Sequence, residues 1–158
     1  MTKNRTEPPV LVKDRGSVRW ITLNRPEVHN AQNVSMLISL DAAFDACRTD
    51  TSIRVVVLAG AGKSFCSGHD LTEMSRNAEY ASNAATAEGR YWQERRLFVD
   101  PVLKFRNLPI PTICRIQGHC LAAGLMFAAA TDFSIDIPLF LTHKVLYHSH
   151  KRVTPSRQ

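Results

Sequence analysis

The 158-residue sequence lacks any uninterrupted apolar run near the ~18 residues that a membrane-crossing helix needs. Its longest small and apolar stretch, Leu121–Ala130, is far shorter and contains Gly124. The N-terminal segment MTKNRTEPPVLVKD has no apolar core, which predicts no secretory leader. With only seven glycines and eight prolines, collagen and Pro/Gly-rich linkers are excluded. The four cysteines never form C-x-x-C, so a zinc knuckle or thioredoxin-like centre has no support. Cys47, Cys114 and Cys120 read as small core hydrophobes, and Cys66, in a loop, as the thiol to test for reactivity. Aromatic residues make up 8%, and no stacking platform accompanies the basic residues, which argues against a nucleic-acid binder.

The composition present is that of one soluble domain of ordinary size, with 44% hydrophobic and 22% charged residues. A cytoplasmic location is expected, with an organelle matrix left open. The net charge of +6 is uneven: residues 136–158 hold four Lys/Arg against one Asp/Glu, half of the excess. The expected organisation is therefore a domain over residues 1–135 and a divergent basic tail over 136–158. His143, His148 and His150 in that tail match no metal-ligand spacing, and no metal site is expected.

Two short β-like runs, Val10–Val12 and Val18–Leu23, flank Asp14-Arg15-Gly16-Ser17, a hairpin signal. Asn33 or Ser35 can cap a helix whose stripe is Leu37, Leu40, Phe44 and Cys47. Ile53–Ala59 is a continuous β-branched run, suited to a strand covered on both faces. Residues 71–86 form a polar, Ala-rich stretch whose helical pattern has only a weak apolar face, and a mobile segment is expected there. Tyr91–Arg106 reads as a helix that Pro101 kinks or splits. Pro111–Ile116 is a second buried strand, and Leu121–Ala130 a small-residue helix. This alternation predicts an α/β fold with both buried strands in one sheet.

Gly62-Lys63-Ser64 follows a buried strand and invites a phosphate-loop reading. A Walker A loop needs Gly five residues before Gly62, and that position is Val57, so an ATPase or GTPase is not supported.

The same segment, RVVVLAGAGKSFCSGHDL, resembles the signature of the crotonase (enoyl-CoA hydratase/isomerase) superfamily. ITLNRPEVHNA (21–31) resembles that family's first block, and LPIPTICRIQGHCLAAGLMFAAATDF (108–133) the block that holds its active site. The Ser-Gly-His-Asp-Leu variant and Ala-Ala-Gly at 122–124, in place of Gly-Gly-Gly, look most like the enoyl-CoA hydratase domain-containing protein 3 branch. The resemblance implies the front half of a crotonase-type ββα spiral. It implies a backbone oxyanion hole from the amides of His69 and Ala123, which would polarise an acyl-CoA thioester carbonyl. It places Val28, His29 and Ala31 of the first block, with Ser67, Gly68, His69, Asp70 and Leu71 of the loop, along the thioester arm. No cofactor is implied beyond the coenzyme A of the substrate. A homo-oligomer or a full-length family subunit is the implied partner.

The family's first acid position, two residues after the triplet, is Met126, and a thioether carries no useful proton. The family's second glutamate has no counterpart before the resemblance fades near Ile135. Asp132 matches a family Asp with a structural place. Two readings follow: a nominal hydratase or isomerase, and an inactive acyl-CoA-binding or regulatory module.

Overall fold

The computed structural model describes residues 7–136. Strands β1 (Val10–Arg15) and β2 (Val18–Leu23) form the expected antiparallel hairpin, closed at Gly16, whose φ of 58° only glycine adopts freely. β1 runs three residues beyond its apolar start because the ladder continues through exposed Lys13 to Arg15. A 3-10 turn over Pro26–Val28 leads to α1 (Val34–Thr49). Asn33, of the two capping candidates, accepts from the Met36 amide at 2.9 Å.

Strand β3 (Val55–Gly60) lies parallel to β2. It starts two residues later than the apolar pattern suggests, since Ile53 and Arg54 turn the chain into the sheet. Residues 71–83 form two short helices, α2 (Leu71–Arg76) and α3 (Ala78–Asn83), divided at Asn77, whose side chain caps the second. α4 (Ala87–Glu94) and α5 (Asp100–Arg106) are joined by a π-helical turn over Arg95–Val99. Pro101 therefore does not split the helix. It has no N–H for the carbonyl four residues back, and the widened turn just upstream accommodates its ring.

Strand β4 (Thr112–Ile116) pairs parallel with β3 as expected. α6 (Ala123–Ala130) follows, and β5 (Phe133–Asp136) adds a fifth strand that periodicity does not announce. All four β5 residues are exposed, so no apolar alternation marks it. The sheet order is β1-β2-β3-β4-β5, with only the first pair antiparallel.

The main core joins Ile21 and Leu23 of β2, Val56 and Leu58 of β3 and Cys114 of β4 to Leu40 and Phe44 of α1, Phe105 of α5 and Phe127 of α6. Helix α1 thus covers one face of the parallel strands, and Val56 and Val57 are buried as predicted. The reading of the thiols needs correction. Cys66 is fully buried among backbone and side chains, and burial pushes its pKa up. Cys120 is the partly exposed one, and it too is raised, to about 11. Neither holds the lowered pKa that a reactive thiol needs. Of the predicted tail, Asp136 ends β5, so the expected boundary at 135/136 falls inside that strand; the rest, with His143, His148 and His150, lies outside the described residues. Among the described residues no helix is long and apolar enough to cross a membrane.

Candidate functional site

Three loops meet beyond the C-terminal ends of β2, β3 and β4. Their meeting is written in backbone hydrogen bonds. The Ser67 amide donates to His29 O at 3.0 Å, Gln32 N to Gly68 O at 2.8 Å and Asp70 N to Gln32 O at 2.9 Å. On the other side of the loop, Cys66 N donates to His119 O and Leu121 N to Cys66 O, both at 2.9 Å. The 64–71 loop therefore runs as a middle strand between the first block and the turn before α6.

Asn30 locks this arrangement. Fully buried, its side-chain amide donates to the carbonyls of Ala61, Ser64 and Phe65, while its oxygen accepts from the Arg25 amide. Asn30 has φ 56°, a left-handed value that Asn tolerates better than most residues. His29, also left-handed at φ 53°, contacts Ser64 Oγ through Nδ1 at 3.0 Å, and the same hydroxyl contacts His119 Nδ1 at 3.1 Å. Ser64 and His119 are site neighbours that the sequence reading missed. Nothing in spacing links positions 29, 64 and 119.

The small residues of the third block make close approach possible. Gly124 lies so near Cys66 that an added Cβ would stand 2.7 Å from Cys66 Cβ and 2.8 Å from its carbonyl oxygen. An added Cβ on Gly68, at φ 105°, would reach Ala122 Cβ at 3.0 Å and the Ala123 amide nitrogen at 3.9 Å. The peptide that ends in the His69 N–H thus lies against the first turn of α6. Its carbonyl, Gly68 O, is taken by Gln32, and in a trans peptide the N–H points the opposite way, away from the first block. Neither the His69 nor the Ala123 amide donates to an acceptor among the described residues. Ala123 opens α6, where free N–H groups and the helix dipole favour negative charge.

The remaining predicted residues fall as follows. Val28 ends the 3-10 turn and is exposed, while Ala31 is half-buried with its carbonyl held by Arg25. Ser67 Oγ donates to Val28 O at 3.4 Å. The half-buried His69 ring packs on Phe98, with centroids 3.9 Å apart, and burial lowers its pKa below the usual histidine value. Asp70 caps α2 by accepting from Glu73 N at 3.0 Å, and Leu71 opens that helix, largely exposed. Met126 stands 40% exposed on α6. Asp132 accepts from the Thr112 amide at 2.9 Å and its hydroxyl at 2.8 Å, which ties α6's end to β4. Its carboxylate has the structural place expected of it. Among the described residues no group of three His, Cys, Asp or Glu could hold a metal ion.

Comparison with known proteins agrees with this architecture. Residues 13–137 match the family model of enoyl-CoA hydratase/isomerase. The chain is 33% identical over 128 residues to enoyl-CoA hydratase EchA19 of Mycobacterium tuberculosis, a match covering 81% of this chain and 46% of that one. It is also 33% identical to the (E)-benzylidenesuccinyl-CoA hydratase of Thauera aromatica, covering 80% and 46%. The solved enoyl-CoA hydratase/isomerase of Xanthobacter autotrophicus Py2 superposes with a TM-score of 0.71 at 36% identity, over 81% of this chain and 45% of that one. The chain thus spans about half the length of the relatives it matches. With the matched segment covering β2 to β5 and all three convergent loops, the chain belongs to the enoyl-CoA hydratase/isomerase, or crotonase, family and carries the front half of its fold.

Proposed function

We propose that this chain binds an acyl-CoA thioester and polarises its carbonyl between the amides of His69 and Ala123, without hydrating the acyl chain. The observation that carries the reading is the pair of amides, without an acceptor among the described residues, on either side of the Gly68–Ala122 contact. Preorganised donors of this kind are typically worth about 3–4 kcal/mol each toward a developing oxyanion. Because both donors are backbone groups, histidine at 69 and alanine at 123 leave the chemistry intact. The thioester arm would pass Val28, His29 and Ala31 on one side and Ser67, Gly68 and Leu71 on the other. Coenzyme A enters as part of the substrate, and no further cofactor is invoked. Asp70 serves the loop, not the ligand, since its oxygens are committed to Glu73 N and Arg25.

Hydration also needs a group that takes a proton from water, typically worth 10²–10⁴-fold. Met126 cannot do this, and Asp132 is occupied by Thr112. His69 keeps its ring against Phe98. The family's acids are thus without a replacement among the residues around the two amides, which favours the binding module over the nominal hydratase. Such a module acts alone, as a homo-oligomer, or beside a full-length family subunit.

The test pairs two measurements on the purified chain: crotonyl-CoA hydration by loss of enoyl absorbance, and binding of acyl-CoA against free coenzyme A by calorimetry. Binding of the thioester without turnover is the expected result, and Met126→Glu alone restores little, because it supplies one acid and not two. Robust hydration that is lost in His69→Ala would overturn the proposal and make His69 the acid–base.

A further inference from the structure

We propose that Arg25 is a positioning residue for the His69 amide: it clamps the first block to the 64–71 loop and so fixes the direction of that N–H. The inference rests on the thioester-binding reading above.

Arg25 is 9% exposed, a level at which a cation needs partners. Its Nη1 donates to Ala31 O at 2.6 Å. Its Nη2 donates to Glu73 Oε2 at 2.7 Å and lies 3.0 Å from Asp70 Oδ2. Its own main-chain N–H is held by Asn30 Oδ1 at 2.9 Å. One guanidinium thus joins segments 25–31 and 70–73, 39 residues apart at their nearest ends.

Where these bonds fall matters more than their number. Gln32 grips both peptides that flank His69: its N–H holds Gly68 O, and its carbonyl accepts from Asp70 N. Arg25 holds the residue before Gln32 and the residue after His69, so it sets the register of that two-segment bridge from outside. The direction of the His69 N–H follows from that register. Asn33 adds a second strut by donating to Glu73 while capping α1.

The guanidinium meets two carboxylates at contact distance, Asp70 at 3.0 Å and Glu73 at 2.7 Å, so both are held to the first block. Lysine cannot substitute, since a single ammonium cannot span a carbonyl and two carboxylates with a fixed fork.

The experiment uses a CoA thioester with an electron-donating chromophore, 4-dimethylaminocinnamoyl-CoA, whose absorption moves to the red when its carbonyl is polarised. Wild type, Arg25→Lys and Asp70→Asn are compared, with circular dichroism melts to establish that each is folded. Asp70→Asn keeps the cap of α2, because Asn caps as well as Asp, and it removes only the ion pair. The expected result is a red shift in wild type that falls by about half or more in both variants. Thioester affinity drops about tenfold, consistent with displacement of one preorganised donor, while free coenzyme A binds within about twofold of wild type. A full red shift in folded Asp70→Asn and Arg25→Lys overturns the positioning role. Absence of a red shift in wild type itself overturns the thioester reading on which it rests.

Discussion

The two amides proposed to share a thioester oxygen are held in opposite ways. On the His69 side the backbone is braced by polar groups: Gln32 on both flanking peptides, Asn30 across three carbonyls, and Arg25 on Asp70. On the Ala123 side there is no side-chain cap, and the preceding residue, Ala122, sits at φ 45° and ψ −114°. Beyond the backbone bonds that Cys66 makes with His119 and Leu121, that half is held by close packing, with Gly124 against Cys66 and Ala122 against Gly68. A site can thus be preorganised by satisfied hydrogen bonds or by steric fit. The first is costly to disturb, and the second stores strain in the backbone.

The braced side should be the more sensitive. Asn30→Ala removes one acceptor from the Arg25 amide and one donor shared by three carbonyls, all around a fully buried residue. Orphaned buried polar groups cost about 1–3 kcal/mol each. We expect a loss of about 3 kcal/mol in urea unfolding, large against a total of about 5–15 kcal/mol for natural domains. A loss below 1 kcal/mol would mean that water takes the side chain's place and that the contrast between the two sides is empty.

The strained side should respond in the other direction. Ala122 is exposed, so Ala122→Gly gives up little burial and releases a conformation that glycine adopts freely. Relief of such strain is worth about 1–3 kcal/mol, reduced by the extra freedom of glycine in the unfolded chain. A net gain of about 1 kcal/mol is expected, read as a rise of roughly 3 °C in the melting midpoint. An unchanged or lowered midpoint would show that the methyl contact with Gly68 outweighs the strain.

What the sequence made legible follows the same division. Apolar periodicity placed β2, α1, β3 and β4, because these elements are built by burial, and burial leaves a pattern. The two amides came from likeness to the family's loop and triplet, not from any property of His69 or Ala123 themselves. The polar brace was not legible. Nothing in the sequence singled out Arg25, Asn30 or Gln32, since their partners lie 34–48 residues away and no period of 2 or 3.6 connects them. Cys66 was misread for a related reason. A loop position suggests exposure, but this loop is the middle strand of three converging segments. β5 escaped notice because its side chains face solvent on both sides, which leaves no alternation to detect.

The smallest expected effect concerns His69 and tests whether the braced side is also the drier one. Burial against Phe98 lowers the pKa of His69 in the folded chain below the value of about 6.5 that it has when unfolded. Above that pH both forms are neutral, and the histidine contributes no pH dependence. As the pH falls below about 6.5 the unfolded chain takes up the proton first, so folding loses stability until the folded histidine titrates as well. The stability linked to His69 is therefore complete at neutral pH and declines on the acid side. His69→Phe keeps an aromatic ring against Phe98 and cannot titrate. Between pH 7.5 and 5.5 its melting midpoint should fall less than that of wild type, the difference between the two slopes being the signal. Superimposable pH profiles would place the imidazole in water. The ring contact with Phe98 would then be no barrier to solvent, and the loop would be braced by its backbone bonds alone.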